Sequence, residues 1–404
     1  MIELHTAPAA PELGQQPPLP VFAPVAIEFV QAFSCALHTA SQAAGYPELA
    51  ALAFWMRGAH LAQLRDRFFA TAAGATFLPR GTVFHIAPAN VDSMFVYSWF
   101  LSLLCGNRNI VRLPSRLSPQ LALLEGILRR LLAEPCWQAV ANRTLLVRYE
   151  RSDRQATTLY SSLCDLRVVW GGDATITELR GIALPPLAGE ICFANRFSLA
   201  VIQAEGWNAA PARRRQVWLG RFFQDAYAYG QMACSSPRLV VWHGAPEAVQ
   251  AAQDDFWPGL RQEARRRGSQ LQALDYVNKL LVMDRIAMRL PVRLATSGHN
   301  DVCRVETGVE QLKALIDSGL HCGAGLFYES RAEHLDALVP ALDRRIQTLT
   351  HAGYADASVL RDFVVRHGVA GVDRIVPFGR ALEFSPVWDG HDLFRVFTRQ
   401  LGMA

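Results

Sequence analysis

The chain has 404 residues, a formal net charge of +4, 51% hydrophobic residues and 19% charged residues. This balance excludes a disordered chain and predicts a globular protein with large buried cores. Since one ordinary core does not serve so long a chain, we expect two or more domains. The basic residues are scattered apart from arginine triplets at 213–215 and 265–267. Each triplet lies beside apolar or acidic helical residues, so we interpret both as solvated helix faces and expect no nucleic-acid partner.

The cysteines and the apolar segments indicate a cellular location. Eight cysteines lie far apart, without a C-x-x-C pair and without a histidine pair at zinc spacing. We therefore expect a reducing cytoplasm, no disulfide framework and no metal site. Residues 1–24 are rich in Pro and Ala and lack a cationic start, which predicts a flexible arm rather than a signal peptide. The apolar run 94–105 is too short to span a bilayer, so we expect a buried helix and no transmembrane segment.

Short apolar strands alternate with helices along the first half of the chain. Residues 25–73 are predicted to be helical, because apolar residues recur there at helical spacing. The predicted strands that follow are 82–86, 109–113, 144–149 and 166–170, and the predicted helices are 93–105, 118–133, 154–163 and one that opens at 175–178. This alternation is typical of a parallel sheet covered on both faces, and ligands of such sheets bind at the carboxyl ends of the strands.

The pattern restarts after about residue 196. The sequence predicts a strand at 198–203, a helix at 214–228, a strand at 238–243 and a helix at 247–267, and the alternation continues to about residue 378. We therefore place a domain boundary near Asn195. The predicted organisation is a flexible arm over 1–24, a first domain over 25–195, a second domain over 196–375 and a C-terminal segment over 376–404.

The segment 230–238 contains the strongest candidate for a nucleophile. It reads Gly-Gln-Met-Ala-Cys-Ser-Ser-Pro-Arg and leads into an apolar strand. Small neighbours leave room for a substrate carbonyl at Cys234. Only a thiolate is a good nucleophile, and no adjacent histidine or acid favours that form, so the activating group must come from elsewhere in the fold. A small buried hydrophobe is the alternative for Cys234, and these nine residues alone leave both open.

Two strand ends carry candidate cofactor-binding residues. No Gly-x-Gly-x-x-Gly follows a strand, so an ordinary dinucleotide fingerprint is absent. Gly171-Gly172-Asp173 lies between a strand and a helix, where backbone N–H groups can approach a pyrophosphate; a plain turn with Asp173 as the N-cap is the alternative. Arg112, Ser115 and Arg116 stand at the end of the second strand, where a nucleotide ribose would sit. Arginine there suits a 2′-phosphate, and ordinary surface arginine is the alternative.

Asn90 follows the first strand of the alternation. Its side-chain amide is suited to donate a hydrogen bond to an oxyanion on a carbonyl that Cys234 attacks. A lone asparagine after a strand is usually a turn former. Asn90 is therefore a candidate oxyanion donor only in combination with the other segments.

Five separated segments together resemble a known family. They are Phe-His-Ile-Ala-Pro-Ala-Asn-Val at 84–91, the run 102–116, Trp-Gly-Gly-Asp at 170–173, Ala-Cys-Ser-Ser-Pro-Arg at 233–238, and the ending over 373–379 and 384–390. In this order they resemble the LuxC-type acyl-CoA reductases. These are the fatty acid reductase components associated with bacterial luciferase, a branch of the aldehyde dehydrogenase superfamily. The resemblance runs from about residue 77 to the C-terminus.

The resemblance implies a fold and roles for single residues. The implied fold is aldehyde-dehydrogenase-like α/β, with two Rossmann-like parallel domains: a nicotinamide-cofactor domain over 25–195 and a catalytic cysteine domain over 196–375. Residues 376–404 would return to the cofactor domain or to an oligomer interface. Cys234 is similar to the superfamily's catalytic cysteine, and Asn90 to its oxyanion asparagine. Arg112 and Ser115 stand where a Lys and a Ser meet the adenine ribose, and Gly171 and Gly172 match the glycine turn near the pyrophosphate.

Two departures from the superfamily pattern bear on the reaction. The loop reads Gly-Gln-x-x-Cys, one residue longer than the Gly-Gln-x-Cys of hydrolytic aldehyde dehydrogenases. Those enzymes carry a water-activating glutamate ahead of the cysteine, and Cys192 stands at the matching place here. The missing glutamate points to a thioester that survives until hydride or another thiol reaches it. Glu190 lies nearby, so a shifted register would restore an acid.

The implied function is NADPH-dependent reduction of an acyl thioester, acyl-CoA or protein-bound, to an aldehyde through a Cys234 acyl-enzyme. NADH is the alternative cofactor. We also expect a homo-oligomer and an acyl-transferring or synthetase partner protein. Three alternatives stay open: a hydrolytic aldehyde dehydrogenase, a non-catalytic acyl-holding subunit of a complex, and reduction of an acyl phosphate. The last needs a phosphate-specific basic cluster near Cys234, and only Arg238 is close to it in the sequence.

Overall fold

The chain folds into two compact units, each built on a largely parallel β-sheet. The computed structural model describes residues 2–3, 10–72, 74–88, 91–268, 271–296 and 300–402. The first unit comprises Met1–Ala194 together with Phe384–Ala404, and the second comprises Asn195–Glu383. In both units apolar strands alternate with helices, which is the pattern of an α/β fold.

The sheet of the first unit is buried between helices. Its described strands are β1 (Ile2–Glu3), β3 (Thr82–Ile86), β4 (Arg108–Arg112), β5 (Thr144–Arg148), β6 (Leu166–Trp170) and β7 (Gly189–Phe193). Their order is β1-β5-β4-β3-β6-β7, and all neighbours are parallel except β1, which is antiparallel to β5. Every residue of β3 and β6 is buried, as expected for central strands covered on both faces.

The helices of the first unit lie at the N-terminus and between the strands. They are α1 (Ala10–Leu13), α2 (Pro24–Ala44), α3 (Pro47–Trp55), α4 (Gly58–Ala70), α5 (Met94–Leu104), α6 (Pro119–Ala133), α7 (Gln138–Ala141), α8 (Arg154–Ser162) and α9 (Asp173–Arg180). The single helical region predicted over 25–73 is thus three helices. Gly45, with φ of 71°, ends the first of them, and Pro47 begins the next. All residues of α5 are buried.

Both ends of the chain pack onto the first unit. Residues 10–24, for which the sequence predicts a flexible arm, are held instead by backbone hydrogen bonds from the N–H groups of Leu19 and Phe22 to Gly106 and Leu104. Leu13 is fully buried, so the segment contributes apolar area to the core. At the other end lie β15 (Val387–Trp388), β16 (His391–Asp392), α16 (Leu393–Val396) and β17 (Thr398–Leu401), and β17 pairs antiparallel with β2 (Thr76–Pro79).

The second unit repeats the architecture with a longer sheet. Its described strands are β8 (Phe197–Gln203), β9 (Pro237–His243), β10 (Arg293–Thr296), β11 (Cys303–Glu306), β12 (Leu326–Ala332), β13 (Ile346–Ala352) and β14 (Arg374–Pro377). Their order is β10-β11-β12-β9-β8-β13-β14, with only β10 antiparallel to its neighbour. The helices are α10 (Ala204–Ala209), α11 (Ala212–Tyr227), α12 (Pro246–Arg267), α13 (Ala273–Ala287), α14 (Leu312–Asp317) and α15 (Ser358–Arg366).

Three further expectations concern the cysteines, the membrane and the arginine triplets. All eight cysteines are free. Within the described residues, no helix is long and apolar enough to cross a membrane. The triplet 213–215 lies on α11, and 265–267 forms the last turn of α12. Glu263 pairs with both Arg266 and Arg267, so part of the second triplet's charge is neutralised within its own helix.

Candidate active site

Cys234 lies in a tight turn immediately before β9. The turn is closed by a 3.1 Å hydrogen bond from the Ser236 N–H to the Ala233 carbonyl, and Cys234 is half-buried. Because the turn precedes β9, the residue stands at the amino edge of the second unit's sheet. Ligands of parallel sheets usually bind at the opposite, carboxyl edge, so the sheet rule would not have located this residue.

Two left-handed backbone segments hold the turn. Residues 229–231 have φ of 53°, 61° and 64°, and residues 323–325 have φ of 73°, 55° and 81°. The segments touch, since the Ala324 N–H donates to the Gly230 carbonyl at 3.0 Å. Each non-glycine residue in this conformation costs ~1–2 kcal/mol. Such strain persists only where the surroundings impose it, and it clusters at functional sites.

Gln231 ties the two segments together from inside. The residue is fully buried, and its side-chain amide donates to the carbonyls of Pro237 and Leu326, each at 3.1 Å. Its side-chain oxygen accepts from the Gly325 N–H at 2.9 Å. One side chain therefore satisfies three backbone groups that burial would otherwise leave unpaired. The Gly-Gln pair thus has a structural role that its place in a motif does not disclose.

The backbone of Cys234 is held on one side and open on the other. Its carbonyl accepts a 2.6 Å hydrogen bond from the buried Ser198 hydroxyl, which also accepts from the Thr348 N–H. Its own N–H has no hydrogen-bond partner in the part of the chain that the structure describes. A fixed carbonyl with a free N–H next to a thiol is the arrangement that an oxyanion donor requires.

Two ionisable side chains of this region come from the start of β9 and from the loop before β12. Arg238, the second residue of β9, donates to the Met232 carbonyl at 3.4 Å. His321 uses both ring nitrogens on backbone groups, at 3.2 Å to the Leu326 carbonyl and 3.1 Å from the Gly323 N–H. Burial lowers the pKa of His321 far below its usual range, and the Arg238 cation lowers it further. His321 is therefore neutral, and both of its ring nitrogens are already engaged in hydrogen bonds, so it is not available as a general base for the thiol.

In the first unit, three loops leave the sheet at one edge. Arg112 and Val169 both lie opposite Ile86 in the parallel ladders, so the segments after β3, β4 and β6 emerge side by side. The chain adds strands on one side of β3 up to β5 and then crosses to the other side at β6. Such a switch point is the usual ligand crevice of an open α/β sheet.

The loop after β3 contains Asn90. This predicted oxyanion donor lies outside the described residues, as does Ala89. Further along the same loop, the Asp92 carboxylate bonds the Ser118 hydroxyl. Ser118 is the N-cap of α6 and accepts from the Leu121 N–H at 3.0 Å. The loops after β3 and β4 are therefore linked to each other and to a helix start.

Arg112 ends β4 with a partly satisfied guanidinium. The group lies 4.7 Å from the centre of the buried Tyr149 ring and donates to the Tyr149 carbonyl at 3.4 Å. Its Nε atom is buried without a partner among the described residues. Stacking on an aromatic ring positions the fork, and the open donor remains available to a ligand oxygen. Ser115 and Arg116 are exposed in the loop that follows.

The glycine pair after β6 opens the N-terminus of α9. Gly172, with φ of −69°, is the N-cap, and Asp173 is the first helical residue. The alternative in which Asp173 caps this helix is therefore wrong. The Gly171 N–H donates to the Phe193 carbonyl at 3.1 Å. Because the two glycines have no side chains, the start of α9 is accessible to an anion. The Asp173 carboxylate in the first turn also interacts with the positive end of the helix dipole and would compete with a bound anion.

Cys192 and Glu190 lie on β7 beside two arginines. The Glu190 carboxylate accepts from Arg167 at 2.8 Å and from Arg180 at 3.2 Å. Burial favours the neutral acid at Glu190, but these hydrogen bonds and charges outweigh burial and hold its pKa below the usual range. Burial raises the pKa of Cys192 to about 11, and the Glu190 charge contributes. Glu190 is therefore an ion-paired carboxylate rather than a poised base.

Sequence reasoning missed Gln231, Ser198, Tyr149 and the place of Arg238. The adjacent Gly-Gln pair gave a signal for Gln231, but only as a motif. Ser198 and Tyr149 carry no local signal, because their partners are distant in the sequence. Arg238 was noted only as the one basic residue close to Cys234.

Comparisons with known proteins bear on the family resemblance and on the fold. Residues 63–262 match the family model described as acyl-CoA reductase (LuxC), which confirms the resemblance found in the sequence. A comparison with curated proteins finds no match.

Solved structures with a similar fold cover nearly the whole chain. They include lactaldehyde dehydrogenase from Escherichia coli, with a TM-score of 0.66 and 12% identity over 97% of this chain and 88% of that one. An NAD-dependent benzaldehyde dehydrogenase from Corynebacterium glutamicum has a TM-score of 0.63 and 10% identity, with coverage of 97% and 86%. A 1-pyrroline-5-carboxylate dehydrogenase from Thermus with bound NAD has a TM-score of 0.66 and 11% identity, with coverage of 97% and 83%. This likeness confirms the predicted aldehyde-dehydrogenase-like α/β fold.

Proposed function

We propose, from the premise that this chain contains a domain of the LuxC acyl-CoA reductase family, that it reduces an acyl thioester to an aldehyde through a Cys234 acyl-enzyme. The observation that carries the proposal is the Cys234 turn. Its carbonyl is held by Ser198 and its N–H is free among the described residues. The turn rests on two left-handed segments that only a specific set of contacts maintains.

The proposed reaction starts with the Cys234 thiolate. Its sulfur forms a bond to the thioester carbonyl carbon, and the resulting oxyanion accepts hydrogen bonds from the Cys234 N–H and the Asn90 amide. The bond to the donor sulfur then breaks, and the donor leaves as a thiol after taking up a proton. The acyl-enzyme that remains is reduced by two electrons to a thiohemiacetal, which collapses to an aldehyde and frees the cysteine. One oxyanion donor is typically worth ~10²–10³ in rate.

The side chains at the carboxyl edge of the first unit's sheet suit a nicotinamide dinucleotide with a 2′-phosphate. Bound there, NADPH would supply the hydride for the reduction. Arg112 offers a buried Nε donor without a partner among the described residues, on a guanidinium already oriented by Tyr149. Arg116 and Ser115 are exposed in the same loop, and Gly171 and Gly172 leave the α9 N-terminus open. We propose these residues, together with Asp173, as the cofactor-binding group, and NADPH rather than NADH as the cofactor.

Reduction is favoured over hydrolysis because Glu190, the acid that a shifted register would put in place of the missing glutamate, is already ion-paired. Cys192 stands at its place in the sequence, and the Glu190 carboxylate is committed to Arg167 and Arg180. A carboxylate whose pKa is held low by two guanidiniums is a weak base toward water. The acyl-enzyme is therefore expected to persist until it is reduced or passes its acyl group to a thiol.

An acylation experiment separates catalysis from a merely structural cysteine. Intact-mass measurement after incubation with acyl-CoA, without nicotinamide, should show one added acyl group on the wild type and none on Cys234→Ala. Asn90→Ala should acylate at least about tenfold more slowly, given the usual size of one oxyanion donor. Addition of NADPH should then release an aldehyde, which is detected with a trapping reagent. Equal labelling of Cys234→Ala, or acid in place of aldehyde, would contradict the proposal.

The acyl donor is proposed to be acyl-CoA, since the family is named for that substrate. Delivery by an acyl-transferring or synthetase partner protein is the alternative. An NADPH-oxidation assay across acyl-CoA chain lengths decides between the two, because a chain that accepts only protein-bound acyl groups would oxidise NADPH with none of the acyl-CoAs. The same series gives the preferred chain length.

A further inference from the structure

A chain of buried side-chain hydrogen bonds crosses the sheet of the first unit. It begins at Asn109 on β4, where His85 Nε2 of β3 lies 3.1 Å from the Asn109 side-chain oxygen. It continues from His85 Nδ1 to the Ser98 hydroxyl of α5, at 2.8 Å, and ends where Trp170 Nε1 of β6 reaches the same hydroxyl at 3.0 Å. All four residues are buried. Polar groups inside a core must satisfy one another, so the four side chains hold each other in place.

The direction of each hydrogen bond follows from its neighbours. The Asn109 amide nitrogen donates to the Asn107 carbonyl at 2.9 Å, so the Asn109 oxygen faces His85 and accepts from its Nε2–H. The Nδ1 atom of a neutral His85 is then an acceptor, and the Ser98 hydroxyl donates to it. The Trp170 N–H can only donate, and its acceptor is the Ser98 oxygen. Burial lowers the pKa of His85 to about 4, so this arrangement holds at neutral pH.

Trp170 connects this chain of hydrogen bonds to the glycine pair. It is the last residue of β6, and Gly171 follows it directly. Its ring stacks on Phe193 of β7, with 3.8 Å between ring centres and 15° between ring planes. The Phe193 carbonyl in turn accepts from the Gly171 N–H at 3.1 Å. The Trp170 ring is therefore fixed on its face by Phe193 and at its nitrogen by Ser98, and a side chain fixed in this way supports the backbone turn beside it.

A second serine of α5 offers a matched comparison with Ser98. Ser102 lies one turn further along the same helix and is also fully buried. Its hydroxyl, however, has no hydrogen-bond partner among the described residues. Removal of either hydroxyl takes one buried polar atom from α5, but only removal of the Ser98 hydroxyl releases Trp170. The contact with Trp170 can therefore be separated from the general effect of changing a buried serine.

We propose that Ser98, oriented by His85, is a positioning residue for the cofactor: it holds the Trp170 ring and thereby the backbone of the glycine pair. Ser98 is fully buried, so it touches no nucleotide and acts through Trp170. The inference rests on the proposed cofactor-binding role of Gly171 and Gly172 and names the side chains that keep that turn in place. The pyrophosphate proposed to lie there is common to NADPH and NADH. Ser98 therefore serves the binding of both nucleotides equally.

The test is titration of NADPH and of NADH, without an acyl donor, against matched variants. Ser98→Ala should weaken the binding of both nucleotides to the same extent, at least about fivefold, because a displaced turn loses its alignment with the ligand. Ser102→Ala should leave both affinities unchanged. Trp170→Phe keeps an aromatic ring but lacks the N–H, and it should weaken both nucleotides as well. Addition of Ser98→Ala to Trp170→Phe should cause little further loss, because the two residues act through one contact.

Turnover supplies a second readout. In Ser98→Ala the KM for the nucleotide should rise, while kcat at saturating nucleotide should equal that of the wild type, because the contact serves binding rather than the chemical step. A fall in kcat with an unchanged KM would overturn the proposal, since a general distortion of the unit rather than a displaced turn would then explain the variant.

Other contrary outcomes concern the titrations. Wild-type affinities in Ser98→Ala, equal losses in Ser98→Ala and Ser102→Ala, or a loss confined to NADPH would each overturn the proposal. If Ser98→Ala does not fold, wild-type affinity of Trp170→Phe for both nucleotides overturns it as well. The titrations need no acyl donor, so a wild type that binds nucleotide but reduces no thioester would contradict the proposed function alone. A wild type that binds neither nucleotide would contradict both.

Discussion

Single arginines in this chain differ in how their charge is compensated. Arg167 and Arg180 both face Glu190, so their charges are used within the first unit. Arg112 and Arg238 each keep a buried Nε without a partner among the described residues. An uncompensated guanidinium at the end or start of a strand is available to an anion, whereas an ion-paired one is not. Arg112 could be predicted because it ends an apolar strand. The position of Arg238 could not be predicted, because it depends on an irregularity in the pairing of β8 with β9.

Arg112 gives the first prediction, on cofactor choice. A charge-assisted hydrogen bond to a 2′-phosphate is worth ~1.5–3 kcal/mol, so Arg112→Ala should weaken NADPH binding about tenfold to hundredfold and NADH binding much less. Titration of both nucleotides checks this. Arg129→Ala, at an exposed position of α6, should change neither affinity. Equal losses for the two nucleotides would show that Arg112 does not contact the 2′-phosphate.

The second prediction concerns the position of the missing glutamate. Cys192→Glu should increase hydrolysis of the acyl-enzyme, provided that the half-buried carboxylate is tolerated beside Glu190. Free acid released from acyl-CoA in the absence of NADPH measures this. Glu190→Gln should leave the slow acid release unchanged, because the carboxylate is already engaged by Arg167 and Arg180. Fast acid release by the wild type that Glu190→Gln abolishes would instead identify Glu190 as the base.

At the scale of elements, the strands were predictable and the turns that hold Cys234 were not. Strands β3 and β6 coincide with the predicted 82–86 and 166–170, because apolar runs between helices mark buried strands directly. Periodicity did not show that 25–73 divides into three helices, since Gly45 and Pro47 interrupt it only locally. The left-handed residues Tyr229, Gln231 and Ala324 have no local signal, because tertiary contacts rather than residue type impose the conformation.

The third prediction tests the contact between the two left-handed segments. A Cβ on Gly323 would lie 2.1 Å from the Gly230 carbonyl oxygen and 3.1 Å from the Met232 sulfur. Gly323→Ala should therefore displace the Cys234 turn and lower the acylation rate at least about tenfold. Gly319→Ala is the control, because Gly319 has φ of 62° but nothing within 4 Å of its Cβ position. It should cost only ~1 kcal/mol of stability and leave acylation intact. Equal acylation by the two variants would contradict the role of this contact.

The fourth prediction concerns Asp225, which joins α11 to the segment after β14. Its buried carboxylate accepts from the N–H groups of Gly379 and Ala381 at 2.7 and 3.0 Å. Burial raises its pKa to about 7, against the opposing effect of those hydrogen bonds. Because the folded state binds this proton more tightly than the unfolded state, the contribution of Asp225 to stability is full below about pH 4 and is lost as pH rises through 7.

The measurement is thermal unfolding between pH 5 and 8. The stability of the wild type relative to Asp225→Asn should fall across this range, since asparagine does not titrate. Asp254→Asn, at an exposed position of α12, should track the wild type at every pH. A constant difference between wild type and Asp225→Asn would show that Asp225 does not titrate in this window.

At the scale of the whole molecule, the chain begins and ends in the same unit. Residues 384–404 belong to the first unit although the entire second unit separates them from it in the sequence. The Asn107 side chain donates to the Phe397 carbonyl at 2.9 Å, and the Tyr97 hydroxyl bonds the Ser385 carbonyl. Sequence patterns report local spacing, so they identified the strands of each unit but gave two alternatives for where this segment packs. A contact between residues so far apart carries a large loop-closure cost, which the buried apolar area must outweigh.

Phe394 carries the last prediction, because it places C-terminal apolar area in the core of the N-terminal unit. It is 3% exposed, and its ring centre lies 5.2 Å from that of Phe22 and 5.9 Å from that of Phe68. Phe394→Ala should lower the free energy of unfolding by ~3–5 kcal/mol, through lost burial and the cavity left behind. Phe54→Ala, in the same unit but 61% exposed, should cost well under half of that. Urea unfolding of both variants measures the difference, and similar losses would mean that the C-terminal segment is held by its β17 pairing rather than by this core contact.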